Sequence, residues 1–317
     1  MIARTLIALL ISCSSAFAQS YPNKPIRVIS PWAPGGPAEA LARTVTLRMA
    51  ESMGQPFVIE SHGGANGTIG GALAAKAAPD GYTIFFSHLG PMAIAPSLMK
   101  QMPYDTLKDF EPITQVVAGP TLLCVRNDLP VKSVKELIAY AKANPGKLSY
   151  GSVGIGSTTH LAGEILNQLA GIETLHVPYK GSTPILTDMM GGRIDIAFIG
   201  ISGSIQQAQA GQIRAIAIST LRRSPNFPDI PAVSETVPGF ELNSWYGMAA
   251  PKGTPKAIID RLQQEVAAVL KKPEVVAWMK QNGLDPVGST PEEHTAQIRS
   301  ELVKWARAVK DANVQAN

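Results

Sequence analysis

From Pro25 to Gly90 the chain repeats one series of local signals: a short β-rich run, a turn heavy in glycine or serine, then a helical pattern. Pro25-Ile26-Arg27-Val28-Ile29-Ser30 stops at Pro31, and after Gly35-Gly36 a helix opens at Pro37. Proline suits the first helical turn because the N–H it lacks has no partner there, and Glu39 suits the positive helix end. Leu41, Val45 and Met49 then share one face. Phe57-Val58-Ile59-Glu60 is a second strand, and the glycine-rich stretch Gly63 to Gly71 leads into an alanine-rich helix closed by Pro79-Asp80-Gly81. Tyr82-Thr83-Ile84-Phe85-Phe86 is a third strand, running into a Ser87-His88-Leu89-Gly90 loop. Strands alternating with helices in this way are joined by right-handed crossovers into parallel sheets, so the fold class is α/β.

The pattern then restarts. Thr121 to Arg126 is a strand, Ser133 caps a helix with Glu136 three residues on, and Asn144-Pro145-Gly146 ends it. Leu148 to Gly151 is another strand, followed by the turn Gly151-Ser152-Val153-Gly154-Ile155-Gly156-Ser157 and a helix from Thr158 to about Ala170. His176 to Tyr179, Ile194 to Phe198 and Ile213 to Ser219 are further strands, and two amphipathic helices, Pro255 to Lys271 and Pro291 to Asp311, dominate the C-terminal part. At roughly 150 residues per domain, 317 residues allow two. Two α/β layers built in succession predict two lobes with a cleft between them.

The N-terminus predicts export. Arg4 precedes an apolar stretch from Leu6 to Ile11, and Ala16-Phe17-Ala18 is a small-residue cleavage site, so residues 1–18 form a secretory signal peptide. Leu10-Ile11-Ser12-Cys13 is also similar to a lipobox, which would leave a lipid anchor at Cys13. The apolar run is far shorter than the ~20 residues a membrane span needs. With Cys13 removed or lipidated, Cys124 has no internal disulfide partner, and inside an apolar strand it is a buried small hydrophobe. A net charge of +4, with no clustering of Lys and Arg, excludes a nucleic-acid footprint.

The candidate chemistry lies in the strand-to-helix turns, where helix N-termini present free N–H groups and a partial positive charge. Four turns have suitable composition: Trp32-Ala33-Pro34-Gly35-Gly36-Pro37, Ser87-His88-Leu89-Gly90, Ser152 through Thr159 with Ser157 and Thr158, and Ile199-Gly200-Ile201-Ser202. Glycines admit a ligand to the backbone and hydroxyls add donors, which together describe an anion site needing no Arg or Lys. Each turn taken singly is equally a capped helix start; their recurrence points to a cleft. His88 is open between lining that cleft and capping its own loop. Sharper motifs fail. Gly151 to Gly156 is G-x-x-G-x-G and lacks the Gly-Lys-Ser/Thr of a phosphate loop. Ser61-His62-Gly63-Gly64 is similar to an esterase oxyanion loop, but no G-x-S-x-G accompanies it. His160 and Glu164 stand one helical turn apart without a third metal ligand, so a helix-surface hydrogen bond is expected there, and no metal or cofactor.

Read in order, Tyr21-Pro22-Asn23-Lys24-Pro25-Ile26-Arg27, Pro34-Gly35-Gly36, Ala42-Arg43, Pro79-Asp80-Gly81-Tyr82-Thr83 and Tyr104-Asp105 resemble the Bug, or TctC-like, family of periplasmic solute-binding proteins. Lys108-Asp109-Phe110, Lys135 to Lys142, Gly156-Ser157, His160-Leu161-Ala162-Gly163-Glu164, Val177 to Gly181, Trp245-Tyr246-Gly247 and Gly253-Thr254-Pro255 extend the resemblance over the whole mature chain. It implies a two-lobed flytrap fold, each lobe a mainly parallel sheet flanked by helices, with residues 19–120 and 243–317 in the first lobe and 121–242 in the second. It implies a non-enzymatic, monomeric protein that closes on a small carboxylate and delivers it to integral-membrane subunits of a tripartite tricarboxylate transporter. Trp32, Pro34, Gly35, Gly36, Pro37, Ser87 and His88 would serve the first lobe; Ser152, Ser157, Thr158, Thr159, Ile199 and Gly200 the second. Two departures bear on the ligand: Glu39 replaces a common Asp, and Ile199 stands where an Asp commonly follows the strand. An apolar Ile199 beside Trp32 and His88 favours a flat or bulky acid such as an aromatic carboxylate, with a dicarboxylic acid as the alternative. A sensor docking a membrane receptor would look the same; an exported hydrolase using His88 or His160 would need a nucleophile or metal that the sequence does not show.

Overall fold

The computed structural model describes residues 21–32 and 34–311; the expected signal peptide, its Ala18 site, Cys13 and the Ala33 position lie outside them. In chain order the elements are β1 (Ile26–Ser30), α1 (Pro37–Met53), β2 (Phe57–Ser61), α2 (Thr68–Ala75), β3 (Thr83–His88), β4 (Phe110–Gly119), β5 (Thr121–Val125), α3 (Val134–Ala143), β6 (Ser149–Ser152) and α4 (Thr158–Ala170). There follow β7 (Leu175–Pro178), α5 (Ser182–Met190), β8 (Ile196–Gly200), α6 (Ile201–Gln209), β9 (Arg214–Ile218), β10 (Ser244–Pro251), α7 (Lys256–Val269), α8 (Pro273–Gln281), β11 (Asp285–Pro286) and α9 (Pro291–Asp311). A helical segment, Gly90–Ile94 continuing as Ala95–Leu98, follows β3 directly.

The strands form two sheets, one of six strands in the order β11-β4-β10-β3-β1-β2 and one of five in the order β7-β6-β8-β5-β9. The repeat at the start of the chain makes the expected parallel pairs, β1 with β2 and with β3. In the five-stranded sheet β6 is parallel to β7 and to β8. The sheets are nevertheless mixed, because β10 runs antiparallel to β3 and β4, and β5 antiparallel to β8 and β9. β4 of the first sheet enters β5 of the second through Pro120 alone, and residues 219–243 carry the chain from β9 back to β10 in the first. The chain therefore passes between the sheets twice, and the two passages lie side by side. Ser219 joins them: its hydroxyl accepts from the Thr121 N–H at 2.9 Å and donates to the Leu242 carbonyl at 2.7 Å.

Apolar packing is continuous across both sheets. On one face Phe85 and Phe110 belong to the same cluster as Leu123 and Phe198; on the other Val28 and Phe86 cluster with Leu122 and Ala197. The helices close these faces with the stripes their periodicity announces, Leu41, Val45 and Met49 on α1 being fully or almost fully buried. No helix among the described residues is long and apolar enough to cross a membrane.

Candidate ligand-binding cleft

The first and second candidate turns end β1 and β3, neighbours in the six-stranded sheet. Trp32, beyond β1, stacks on His88 at 4.9 Å and leans on Tyr246 of β10 at 5.4 Å and on Phe86 at 6.1 Å between ring centroids. The alignment of β10 with β3 sets Tyr246 opposite His88, so three rings share one face at the end of the sheet. The strand runs on through Ser87 and His88 instead of ending at Phe86. Successive strand residues point to opposite faces, so Ser87 lies away from these rings. Its hydroxyl is buried without a hydrogen-bond partner among the described residues and offers no donor to the aromatic face.

Of the two roles the sequence left open for His88, the structure shows the capping one. Its Nδ1 accepts the Gly90 N–H at 3.0 Å, capping its own turn, which leaves the proton on Nε2. Burial without a countercharge lowers its pKa to about 3, so the ring is a neutral donor beside Trp32. Burial likewise pushes the Tyr246 hydroxyl up to about 12. Tyr246 was read only as part of a motif. Its signal was weak because β10 mixes glycine, alanine and aromatic residues without alternation.

The turn before α1 is shaped by Glu39. Its carboxylate accepts the Gly35 N–H at 2.6 Å and binds Arg43, and these contacts, the backbone one first, hold it below the usual carboxylate range. Gly35 therefore does not offer its N–H to a ligand: an acid placed at the third helical residue reaches back to it, as in a capping box. Pro34 and Gly35 are exposed, Gly36 caps α1 and Pro37 opens it. The N–H groups of Gly36 and Ala38 make no hydrogen bond among the described residues.

In the five-stranded half, most of the expected hydroxyls build the turn itself. Ser157 caps α4 by accepting the His160 N–H at 3.2 Å, Thr159 accepts the Val153 N–H at 3.0 Å, and the Ser152 hydroxyl lies 2.6 Å from His176 Nε2. His160 Nδ1 in turn accepts the Gly156 N–H at 3.1 Å. The rings of Tyr150, His176 and His160 stack beneath, with His160 and His176 centroids 4.0 Å apart. Glu164 accepts from the Tyr150 hydroxyl and lies 3.8 Å from His160 Nε2, too far for the helix-surface hydrogen bond expected of this pair; His160 is buried and takes the Gly156 N–H instead. Burial lowers the pKa of both histidines, that of His176 to about 4. Three hydroxyls thus fix the loop; the Thr158 hydroxyl and the N–H groups of Thr158 and Thr159, at the positive end of α4, make no hydrogen bond among the described residues.

Ile199 is not on the cleft wall. It is fully buried in β8, paired with Leu122, in the cluster that holds Ala197 and Ile201. The strand extends two residues beyond Phe198, which carries Ile199 into the core and leaves Gly200 at the edge. A Cβ on Gly200 would stand 4.0 Å from the Tyr246 hydroxyl. The two halves also meet where Pro37 faces Gly203 of α6 and where Leu98 faces Gly156. The Asn66 side-chain amide donates to the Gly156 carbonyl at 2.7 Å. The N-termini of α1 and α4 and the three rings therefore lie beside the contacts between the two halves. That environment suits an anion held by neutral donors. No group of three or more metal-ligating side chains is found among the described residues.

Two mixed sheets flanked by helices and joined by paired passages are the two-lobed architecture of periplasmic binding proteins. The family model described as "Tripartite tricarboxylate transporter family receptor" matches residues 41–314, and the chain belongs to this TctC, or Bug, family of periplasmic solute-binding proteins, which are not enzymes. It is 36% identical to a UPF0065 protein from a tcbD–tcbE intergenic region of Pseudomonas sp. strain P51, over 98% of this chain and 94% of the relative. Among solved structures, the periplasmic binding protein BugD is 38% identical with a TM-score of 0.88, covering 94% of this chain and all of that one. An R. palustris protein with adipate gives 35% and 0.89, covering 93% and 99%. MatC from Rhodopseudomonas palustris with bound malate gives 31% and 0.85, covering 91% and 100%.

Proposed function

We propose that this chain captures a small carboxylate between its two lobes in the periplasm and delivers it to the membrane subunits of a tripartite tricarboxylate-type transporter. The observation that carries the reading is that each half ends in a helix N-terminus, α1 in one and α4 in the other, whose first N–H groups make no hydrogen bond among the described residues. A carboxylate there would receive N–H groups from Gly36 and Ala38 on one side and Thr158 and Thr159 on the other, together with the Thr158 hydroxyl. Charge-assisted bonds of this kind are roughly twice as strong as neutral ones, which offsets the lack of a cation.

We assign residues 19–120 and 243–317 to the first lobe and 121–242 to the second, with export directed by residues 1–18 and monomeric action. The rings of Trp32, His88 and Tyr246 line the rest of the ligand's path and favour a flat acid, such as an aromatic carboxylate. A dicarboxylic acid is the second reading, supported by the adipate and malate held by relatives of similar architecture. An amino acid is disfavoured, because Glu39, the carboxylate of the first turn, is already engaged by Gly35 and Arg43 and so is not free to meet an ammonium group. Isothermal calorimetry with benzoate, phthalate, adipate, malate, aspartate and glutamate tests this. Binding of a carboxylate without an amino group is expected; tight binding of glutamate or aspartate with no response to the other four would sink the proposal.

A further inference from the structure

The turn that precedes α2 is wound the wrong way for L-amino acids. Ala65 and Asn66 have φ of 45° and 54°, and Gly67 continues at 86°, so three successive residues occupy the left-handed region. Glycine enters this region freely; alanine and asparagine do so at a cost, asparagine less than most. Short bonds keep the turn closed, the Gly67 N–H to the Gly64 carbonyl and the Thr68 hydroxyl to the Ala65 carbonyl, both 2.8 Å. They do not account for where the turn points its side chain. Backbone strain that the surroundings maintain is a reason to look for function.

What the turn presents is the Asn66 amide, delivered across the cleft. Asn66 follows β2 of the six-stranded sheet, Gly156 follows β6 of the five-stranded sheet, and their 2.7 Å bond joins the two halves. Gly156 is held from its own side as well, through its N–H to His160 Nδ1. Its φ of 75° and the approach of Leu98 Cδ1, 2.9 Å from where a Cβ would stand, let the first half reach this backbone only because the residue is glycine. The Asn66 amide oxygen lies 2.8 Å from the corresponding point on Gly90, so the amide is confined on both sides.

We propose that Asn66 is a positioning residue that latches the cleft: its amide clasps the Gly156 carbonyl and slows the release of whatever acid is bound. Both partners are protein, so the clasp forms with or without ligand and biases the unliganded chain toward the closed arrangement, which a ligand then needs to favour by less. The effect on ligand rests on the cleft being the ligand site; the bias toward closure does not.

The variants Asn66→Gly and Asn66→Asp separate latching from turn shape, since both residues tolerate a left-handed φ and neither carries an amide donor. Two measurements decide the matter: small-angle scattering of the unliganded protein, and stopped-flow dissociation and association with adipate as probe. The latch requires a larger radius of gyration in both variants, adipate dissociation about three- to tenfold faster, association within about twofold of wild type, and little change in Tm. Unchanged scattering and unchanged dissociation in both variants overturn it. So does faster dissociation that merely tracks a fall in Tm, because a structural role alone would do that. Should the wild-type protein ignore adipate, that result counts against adipate as ligand, and the scattering comparison by itself still upholds or overturns the latch.

Discussion

Gly156, Gly200 and Gly203 mark where the five-stranded half gives way so that the other half can approach. At Gly203, inside α6, a methyl group would stand 3.1 Å from Pro37 Cγ, so close that Pro37 would have to give by a few tenths of an ångström. Glycine within a helix is also destabilising by roughly 0.5–1 kcal/mol relative to alanine. Gly203→Ala is therefore expected to separate two quantities that usually move together. Tm should hold or rise, while affinity for the acid identified by calorimetry should fall by roughly tenfold through crowding at the closed interface. Equal affinity in both proteins would mean that Pro37 and Gly203 do not meet when ligand is bound. At the same scale, hydroxyls that the sequence offers to a ligand are largely taken up by their own turn. The hydroxyls of Ser152, Ser157 and Thr159 bond within the loop and to His176 beside it, and among the described residues the Thr158 hydroxyl makes no such bond.

Among elements, those whose signals are local were legible. Ser133 accepts the Glu136 N–H and Glu136 accepts the Lys132 N–H, the capping pattern read from their spacing. Helix α4 spans Thr158–Ala170, between its Ser157 cap and a left-handed Gly171. Strand β4 was missed because Phe110–Gly119 contains Pro112 and buries residues on both faces, which removes the alternation that betrays a strand. Its partner β10 was read only as a short motif, and with both overlooked the antiparallel middle of the first sheet went with them. Where β4 and β10 hand the chain to and from the second sheet, Ser219 is the tie. Its own N–H reaches the Thr121 carbonyl and its carbonyl receives the Leu242 N–H, each at 2.9 Å. Ser219→Ala keeps those backbone bonds but leaves the Thr121 N–H and the Leu242 carbonyl without their buried hydroxyl partner. A loss of about 1–3 kcal/mol is expected, read as a lower urea midpoint at unchanged m-value; an unmoved midpoint would show that water replaces the hydroxyl.

At the scale of the whole molecule, buried histidines set a response to acid. His88 at about 3, His176 and His294 at about 4, and a lowered His160 all remain neutral in the folded protein because burial penalises the charged ring. In the unfolded chain they titrate near 6.5, so below that pH the unfolded state binds more protons and stability falls with pH. Asp285 and Glu301, raised by burial, oppose this, but they are fewer. Tm should be nearly level above pH 7 and decline from about 6.5 to 4, and His294→Gln should flatten part of that slope; a level Tm down to pH 4 would contradict the assignment of neutral buried rings. The sequence by itself determined the α/β class, the likeness to a solute-binding family and the turns from which a site could be built, because caps, breakers and periodicity act over a few neighbouring residues. Only the tertiary structure decided that Ile199 belongs to the core, that Glu39 occupies the Gly35 donor, and that Tyr246 joins Trp32 and His88. It also decided that Asn66 meets Gly156. Those facts depend on strand register and on contacts between residues far apart in the chain, for which sequence spacing carries no distance.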